Sequence, residues 1–290
     1  MLKSKTLSPS PNDVWLIWIL RGLATIAGAI ALLIVVFLLS ESLPIFSRIT
    51  LSRFFTDSSW NPTAGLYNLS PMLLGTFLAM FGAVLFATPI GILSAVFCQF
   101  YAPPMVAQLY RRLIELLAGI PSVVYGFWGL VVLVPLIGKI HPPGPSLLAG
   151  IAILAVMILP TVALVADASL EKVPTSYIQG AAALGLSRWT TICTVVFASA
   201  KSGLFTGLIL GTGRAIGETM AILMVCGNVV QTPKSLFDPT RTLTANIALE
   251  MAYATGDHRS ALFVSGLILM GMIVVLVAIA EVISQGKWQR

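Results

Sequence analysis

The sequence predicts an all-α membrane protein that crosses the bilayer six times, and its composition and apolar runs support this fold class. Hydrophobic residues make up 57% of the 290-residue chain and charged residues only 10%, and the mean hydropathy is +0.95. Soluble domains carry about a quarter charged residues. The apolar residues fall in runs long enough to span a bilayer, which takes about 20 residues. The chain also has 24 glycines and 17 prolines, which packed transmembrane helices tolerate because neighbouring helices satisfy the freed backbone groups.

The six predicted spans are joined by two long external loops and one long cytoplasmic loop. The spans are residues 14–39, 70–100, 113–136, 146–166, 201–228 and 261–283. The external loops cover about residues 40–69 and 229–260, the cytoplasmic loop covers about residues 167–200, and the cytoplasmic tails are residues 1–13 and 284–290. Residues 14–283 therefore form one transmembrane domain.

The third predicted span contains the glycine- and proline-interrupted stretch AGIPSVVYGFWGL. Such interruptions bend or unwind a transmembrane helix, and unwound backbone is tolerated where it lines a cavity. Ser122 and Tyr125 are then candidates to line that cavity. A kinked helix that only packs against its neighbours is an equal alternative.

The fifth predicted span carries two charged residues, Arg214 and Glu218, well inside an apolar, glycine-rich run. A charge at the bilayer centre costs roughly 2.5–3.5 kcal/mol on insertion scales. On a continuous helix, residues four apart lie on one face and can contact each other, and Gly203, Gly207 and Gly211 fall on that same face. Small residues at this spacing let two helices approach closely.

Two interpretations of this charged pair remain open. A buried ion pair could fix the register of the helix against a neighbour and do nothing more. Ionisable residues within spans are, however, functional by default, so the alternative is a solute path lined by Arg214, Glu218 and the adjacent Thr219.

The distribution of basic residues predicts that both termini are cytoplasmic, in the plasma (bacterial inner) membrane. Positively charged residues favour the cytoplasmic side of the membrane. Nine lie on the predicted inside, namely Lys3, Lys5, Arg111, Arg112, Lys172, Arg188, Lys201, Lys287 and Arg290. Six lie on the predicted outside, namely Arg48, Arg53, Lys139, Lys234, Arg241 and Arg259.

The cytoplasmic loop contains a short predicted helix over residues 177–184. Pro174 is a helix-start signal and Gly185 is placed to cap the end of the helix. A short helix held between two spans, with small and apolar residues facing the cytosol, suits docking into a groove on a partner. The alternative is an amphipathic helix that rests on the membrane surface.

Composition also argues against several other functions. Cys98, Cys193 and Cys226 form no CxxC motif and are typical of small packing residues. His141 and His258 lie in different loops without ligand spacing, so we expect no protein-bound metal site and no catalytic residues. The net charge of +6 is spread over short loops, so it indicates orientation and not nucleic-acid binding.

The cytoplasmic loop resembles that of the permease subunits of ABC importers, whose pattern is E-A-A-x3-G-x9-I-x-L-P. The alanine, the glycine and the spacing are present here, whereas the leading glutamate, the second-position alanine and the final proline are not. The matching positions are Gln179, Gly180, Ala181, Gly185, Val195, Phe197 and Ala198. The resemblance implies contact with an ATPase through a coupling surface of Tyr177, Gln179, Gly180, Ala181, Ala182, Gly185 and Arg188.

The chain is most similar to the phosphate importer permeases of the PstC type. The motifs that carry this likeness are SSWNP (58–62), TPIGILSAVF (88–97), IPSVVYGFWGL (120–130), QGAAALGLSRW (179–189) and GRAIGETMAILMVCGN (213–228). The resemblance implies the MetI-like, type I permease fold with a cytoplasmic coupling helix. It also implies a second permease of the PstA type, two copies of a cytoplasmic ATPase that holds ATP and Mg²⁺, and an external phosphate-binding protein, with no cofactor on this chain.

The expected function is thus to move inorganic phosphate across the membrane as one of two permease subunits. The chain contains no Walker A pattern, so it cannot power the cycle itself. Sulfate, molybdate or another oxyanion is the nearest alternative substrate. A proton-coupled secondary carrier with Glu218 as the proton site is the alternative from a different class.

Overall fold

Helices account for most of the described residues, because a backbone segment in lipid must satisfy its own hydrogen bonds. The computed structural model describes residues 11–285, with side chains for residues 14–279. The helices are α1 (Pro11–Phe46), α2 (Arg53–Thr56), α3 (Ser70–Phe100), α4 (Pro104–Gly119), α5 (Ser122–Trp128), α6 (Val134–Ile140), α7 (Leu147–Glu171), α8 (Thr175–Ala183), α9 (Arg188–Thr191), α10 (Phe197–Gly217), α11 (Met220–Val225), α12 (Leu243–Glu250) and α13 (Gly256–Gln285). Two short strands, β1 (Trp60–Asn61) and β2 (Leu66–Tyr67), pair antiparallel.

The predicted six spans are confirmed within the described residues. Six helical segments are long and apolar enough to cross a membrane. They are Val14–Phe46, Ser70–Phe100, Ser122–Ile140, Leu147–Glu171, Arg188–Gly217 and Gly256–Ile279. The third span joins α5 and α6 through a π-helical turn, Gly129–Leu133, and the fifth joins α9 and α10 through a second one, Ile192–Val196.

Several span boundaries differ from those predicted. Helix α1 continues to Phe46, so the first external loop begins later than residue 40. Helix α13 begins at Gly256 and not at residue 261. The helical spans on both sides of the cytoplasmic loop extend into residues 167–200, which leaves a shorter connection between Glu171 and Arg188. Most of the predicted tails, including Lys3, Lys5, Lys287 and Arg290, lies outside the described residues.

The third predicted span, residues 113–136, is wrong at its start. Residues 113–119 belong to α4, a separate helix that ends before Pro121. Helix α4 has exposed polar residues at helical spacing, Gln108, Arg112 and Glu115, which an apolar span would not carry. Arg111 Nε of this helix pairs with Asp167 Oδ2 of α7 at 2.8 Å. Because the residues from 113 onward form a local apolar run, the sequence pattern did not reveal the boundary between α4 and α5.

Helix α7 occupies the centre of the molecule, between α3 and α10. Glycines let the three backbones approach: a Cβ on Gly91 of α3 or on Gly211 of α10 would lie 3.0 Å from a methyl group of Val162. A Cβ on Gly207 would lie 3.3 Å from Val165. The predicted small-residue packing face of the fifth span is therefore confirmed, and its partner is α7.

The segment between the first two spans forms a small cap. Trp60 and Tyr67 are opposite each other in the β1–β2 pair, and both are buried. Arg53 Nε donates to Asp57 Oδ1 at 3.0 Å, and Asp57 also accepts the Tyr67 amide. The hydrogen bond from Arg53 lowers the pKa of Asp57 from its usual value. The predicted turn-rich loop is thus an ordered structure.

Candidate functional site

The fifth predicted span is interrupted directly after its arginine. Helix α10 ends at Gly217, and Glu218 is extended with φ −69° and ψ 126°. The chain resumes as the short helix α11, Met220–Val225. Glycine is a weak helix former, and Gly213 and Gly217 stand in the last turns of α10. The expected continuous helix over residues 201–228 is therefore wrong.

This interruption separates the side chains of Arg214 and Glu218, which a continuous helix would place on one face. Glu218 Oε1 accepts the backbone N–H of Ala221 at 3.0 Å, which satisfies one of the unpaired donors at the start of α11. The Glu218 carbonyl accepts Thr244 Oγ1 at 2.9 Å. Thr219 Oγ1 donates to the Gly217 carbonyl at 3.2 Å. The Arg214–Glu218 ion pair, one of the two interpretations left open by the sequence, is absent among the described residues, because their relative positions no longer follow one helix.

Arg214 contacts the central helix instead. Its Nη1 donates to Thr161 Oγ1 of α7 at 3.3 Å. At 1.5 Å per residue, Thr161 lies about 21 Å along α7 from Leu147 and about 15 Å from Glu171. Since the hydrocarbon core is about 30 Å thick, this contact lies near the middle of the membrane.

The surface of α10 opens beside Arg214. The glycines that precede it on the packing face contact α7, whereas a Cβ on Gly213 or on Gly217 would meet no atom within 4 Å. Arg214 itself is partly exposed. Gly213 and Gly217 thus lie on a part of α10 that no other described part of this chain covers, and Arg214 remains a candidate for the predicted solute path.

Ser122 and Tyr125 are held at the start of the third span. Ser122 is the first residue of α5 and is partly buried. Tyr125 is 7% exposed, and its hydroxyl donates to the Leu117 carbonyl of α4 at 2.7 Å. This bond ties α5 to α4 across Pro121. Tyr125 therefore has a structural contact, and a cavity-lining role for either residue remains a prediction.

The short helix predicted between the fourth and fifth spans is present as α8. Pro174 precedes it and Gly185 follows it in the left-handed conformation, with φ +74°. The seven predicted coupling residues do not share one environment. Tyr177, Gln179, Gly180, Ala182, Gly185 and Arg188 are exposed, whereas Ala181 is 4% exposed. Ala181 thus packs this loop against the protein, and the other six remain accessible to a partner.

Arg188, one of the predicted coupling residues, contacts the end of the second span. Its Nη1 donates to the Phe100 carbonyl at 3.1 Å, and its guanidinium lies 5.5 Å from the centre of the Tyr101 ring. A cation over an aromatic face is attracted to the ring. Movement of α8 and α9 would therefore be transmitted to the end of α3.

Two polar groupings were not predicted from the sequence. One is Thr161, whose contact with Arg214 joins residues far apart in the chain. The other is a cluster around Glu250, whose carboxylate accepts Arg241 Nη1 at 2.7 Å and Trp60 Nε1 at 2.9 Å and contacts His258 Nε2 at 2.8 Å. The only local signal was the presence of charged residues in a loop.

Comparison with known families identifies the architecture. The family model described as binding-protein-dependent transport system inner membrane component matches residues 87–289. The chain belongs to this family. It is therefore a multi-pass membrane component of an ABC transporter, a non-catalytic subunit whose family works with an ATPase and a binding protein.

Curated members of this permease family match most of the chain. The probable ABC transporter permease protein YqgH of Bacillus subtilis (strain 168) is 38% identical over 277 residues, covering 93% of this chain and 90% of that protein. The phosphate transport system permease protein PstC of Mesorhizobium japonicum is 35% identical over 250 residues, covering 79% and 76%. PstC of Xylella fastidiosa (strain 9a5c) is 34% identical over 249 residues, covering 79% and 77%.

Solved structures show the same permease fold. A chain of a bacterial ABC transporter involved in import of the acidic polysaccharide alginate aligns with a TM-score of 0.66 at 14% identity, covering 96% of this chain and 99% of that one. A chain of the MetNI methionine ABC transporter in inward-facing conformations aligns with a TM-score of 0.57 at 19% identity, covering 75% and 93%. The expected MetI-like architecture is thereby confirmed.

Proposed function

We propose that this chain is one of two permease subunits of an ATP-driven importer of inorganic phosphate. The observation that carries the proposal is Arg214, a guanidinium near the middle of the membrane with no carboxylate paired to it among the described residues. A charge near the middle of the membrane without a partner of opposite sign is costly, so it is retained for a function. Relatives named as phosphate transport permeases support phosphate as the anion.

Arg214 is suited to hold an oxyanion in transit. A guanidinium offers five N–H donors in a rigid fork that matches phosphate geometry. One of these donors is used by Thr161, which leaves the rest for a passing anion. A single unpaired cation binds the anion strongly enough for the anion to enter the path from water. Because there is only one site of this kind, the anion can also dissociate from it.

Each partner has a separate role in the proposed transporter. This chain and a second permease of the PstA type form the path, and two copies of a cytoplasmic ATPase hold ATP and Mg²⁺. An external phosphate-binding protein delivers the anion. The exposed residues of α8 and Arg188 transmit movement of the ATPases to the spans, with both termini on the cytoplasmic side.

The two alternative functions make different predictions. A permease for sulfate or molybdate would use the same arginine with a different preferred anion. A proton-coupled carrier would need a protonatable Glu218 at the path, whereas the observed carboxylate accepts the Ala221 N–H at the start of α11. Phosphate uptake by a proton-coupled carrier would also not require an ATPase.

Uptake of labelled phosphate into vesicles that contain the assembled transporter tests the proposal. We expect ATP-dependent uptake that excess sulfate and molybdate do not suppress, and a loss on the order of 100-fold in Arg214→Gln, since several charge-assisted hydrogen bonds disappear together. Arg112→Gln, which changes an exposed arginine of α4, is the matched control. Normal uptake by an assembled Arg214→Gln transporter would contradict the proposed role.

A further inference from the structure

The hydroxyl of Thr161 differs in its hydrogen bonding from several other threonine hydroxyls in the spans. Serine and threonine side chains in transmembrane helices commonly donate to a carbonyl one turn earlier in their own helix. Thr76, Thr206 and Thr212 do so here, with bonds to Met72, Ser202 and Leu208 of 2.7, 3.0 and 2.7 Å. Thr161 instead accepts a hydrogen bond from Arg214 of another helix.

This contact leaves the Thr161 hydroxyl proton available. A hydroxyl is one donor and two acceptor lone pairs. One of the two lone pairs accepts the hydrogen bond from Arg214 Nη1. No acceptor for the Thr161 hydroxyl proton is present among the described residues. Because Thr161 is partly exposed, its O–H can donate to a solute that also contacts the guanidinium.

A neutral acceptor at this position has a consequence that a carboxylate would not have. Arg111 and Arg241 are held by Asp167 and Glu250 at 2.8 and 2.7 Å, and each carboxylate cancels the positive charge it orients. Thr161 orients the guanidinium of Arg214 without cancelling its charge. The full attraction for an anion is thereby retained.

We propose that Thr161 is a second ligand of the translocated oxyanion. Its hydroxyl oxygen positions Arg214, and its hydroxyl proton is donated to an anion oxygen. The inference rests on the proposed function, because it takes Arg214 as the anion contact. It places the two halves of the site on α7 and α10, the helix pair that packs through Gly207 and Gly211. A tetrahedral oxyanion such as phosphate presents several acceptor oxygens, so it can accept from Arg214 and Thr161 together.

Kinetics of phosphate uptake by the assembled transporter test this inference. Thr161→Val keeps the shape of the side chain and removes the hydroxyl. We expect it to raise the KM for phosphate about tenfold or more, the size of one hydrogen bond to a charged group, in a transporter that still assembles with its partner subunits. Thr161→Ser restores the hydroxyl and should return the KM to within about threefold of the original value. Thr206→Val, whose hydroxyl bonds to its own helix, is the matched control.

The outcomes separate this inference from the proposed function. If Arg214→Gln abolishes uptake while an assembled Thr161→Val transporter keeps the original KM, the function stands and the role of Thr161 is wrong. If the unaltered transporter moves no phosphate, the proposed function itself is wrong. Thr161→Ala is the second hydroxyl-free variant, and failure of both variants to assemble would make Thr161 a structural residue and overturn the inference.

Discussion

Glu218 stabilises the break between α10 and α11 through its side-chain oxygen. Its Oε1 accepts the Ala221 N–H at 3.0 Å, and an acceptor at this position satisfies a donor that a helix start leaves unpaired. The carboxylate charge and the acceptor oxygen can be tested separately, because glutamine keeps the oxygen and loses the charge.

We expect Glu218→Gln to leave stability within about 0.5 kcal/mol of the original protein, and Glu218→Ala to lower the free energy of unfolding by about 1 kcal/mol, the usual value of a lost helix cap. Denaturant unfolding of the purified permease in detergent measures both values. A loss in the glutamine variant as large as that in the alanine variant would show that the charge, and not the acceptor, stabilises this segment.

The sequence selected Arg214 and Glu218 as candidate site residues but did not predict their contacts. The cost of placing a charge in lipid made Arg214 and Glu218 candidates without any structural information. Their contacts could not be predicted, because the i, i+4 rule holds only on a continuous helix. Gly217 and an extended Glu218 end that helix, and Thr161 reaches Arg214 from a helix that is distant in sequence.

Among the elements, the end of α8 depends on the backbone of Gly185 and not on its lack of bulk. A Cβ at Gly185 would meet nothing within 4 Å, yet its φ of +74° is one that most residues adopt only at a cost. Asparagine tolerates this conformation better than alanine or valine does. Size and conformation can therefore be separated by substitution.

We expect Gly185→Ala and Gly185→Val to reduce phosphate uptake per ATP hydrolysed, because a strained turn, at about 1–2 kcal/mol, would shift the end of the coupling helix. Gly185→Asn, although larger than alanine, should retain more of the coupling. Uptake and ATP hydrolysis measured on the same vesicles give the ratio. An asparagine variant that is worse than alanine would show that space, and not φ, matters here.

Elements with local signals were predictable, whereas elements defined by distant contacts were not. Pro174 and Gly185 mark both ends of α8 in the sequence, and the structure has the helix between them. Helix α4 was merged into the third span because residue 113 begins an apolar run. The Arg111–Asp167 pair and the Tyr125–Leu117 hydrogen bond, which fix α4 as a separate helix, join segments that local pattern does not relate.

At the scale of the whole molecule, a cluster around one carboxylate joins segments that are distant in the sequence. Glu250 of α12 contacts Trp60 of the hairpin, Arg241 of the preceding loop and His258 of α13. Arg241 also donates to the Asn228 carbonyl at 2.9 Å. These contacts join segments across nearly two hundred residues, so the spans could be predicted from apolar runs but the assembly of their external connections could not.

The Glu250 cluster should be the external feature on which stability depends most. The carboxylate side chain is 10% exposed and that of Arg241 is 18% exposed, and leaving one member of a buried pair without its partner costs about 3–5 kcal/mol. Glu41 offers a matched control, because it pairs with Arg259 at 3.2 Å on the same face with 33% and 50% of the side chains exposed. Exposed pairs of this kind contribute about 0–1 kcal/mol.

We therefore expect Glu250→Gln to lower the free energy of unfolding by about 3 kcal/mol and Glu41→Gln by less than about 1 kcal/mol, measured by denaturant unfolding of the purified permease. Glutamine keeps the size of the side chain, so the difference reports the charge that balances Arg241. The loss in Glu250→Gln should also persist at high salt, since buried pairs are screened less than exposed ones. Equal losses in the two variants would mean that the external segments are held by the apolar contacts of Trp60 and its neighbours, and not by this carboxylate.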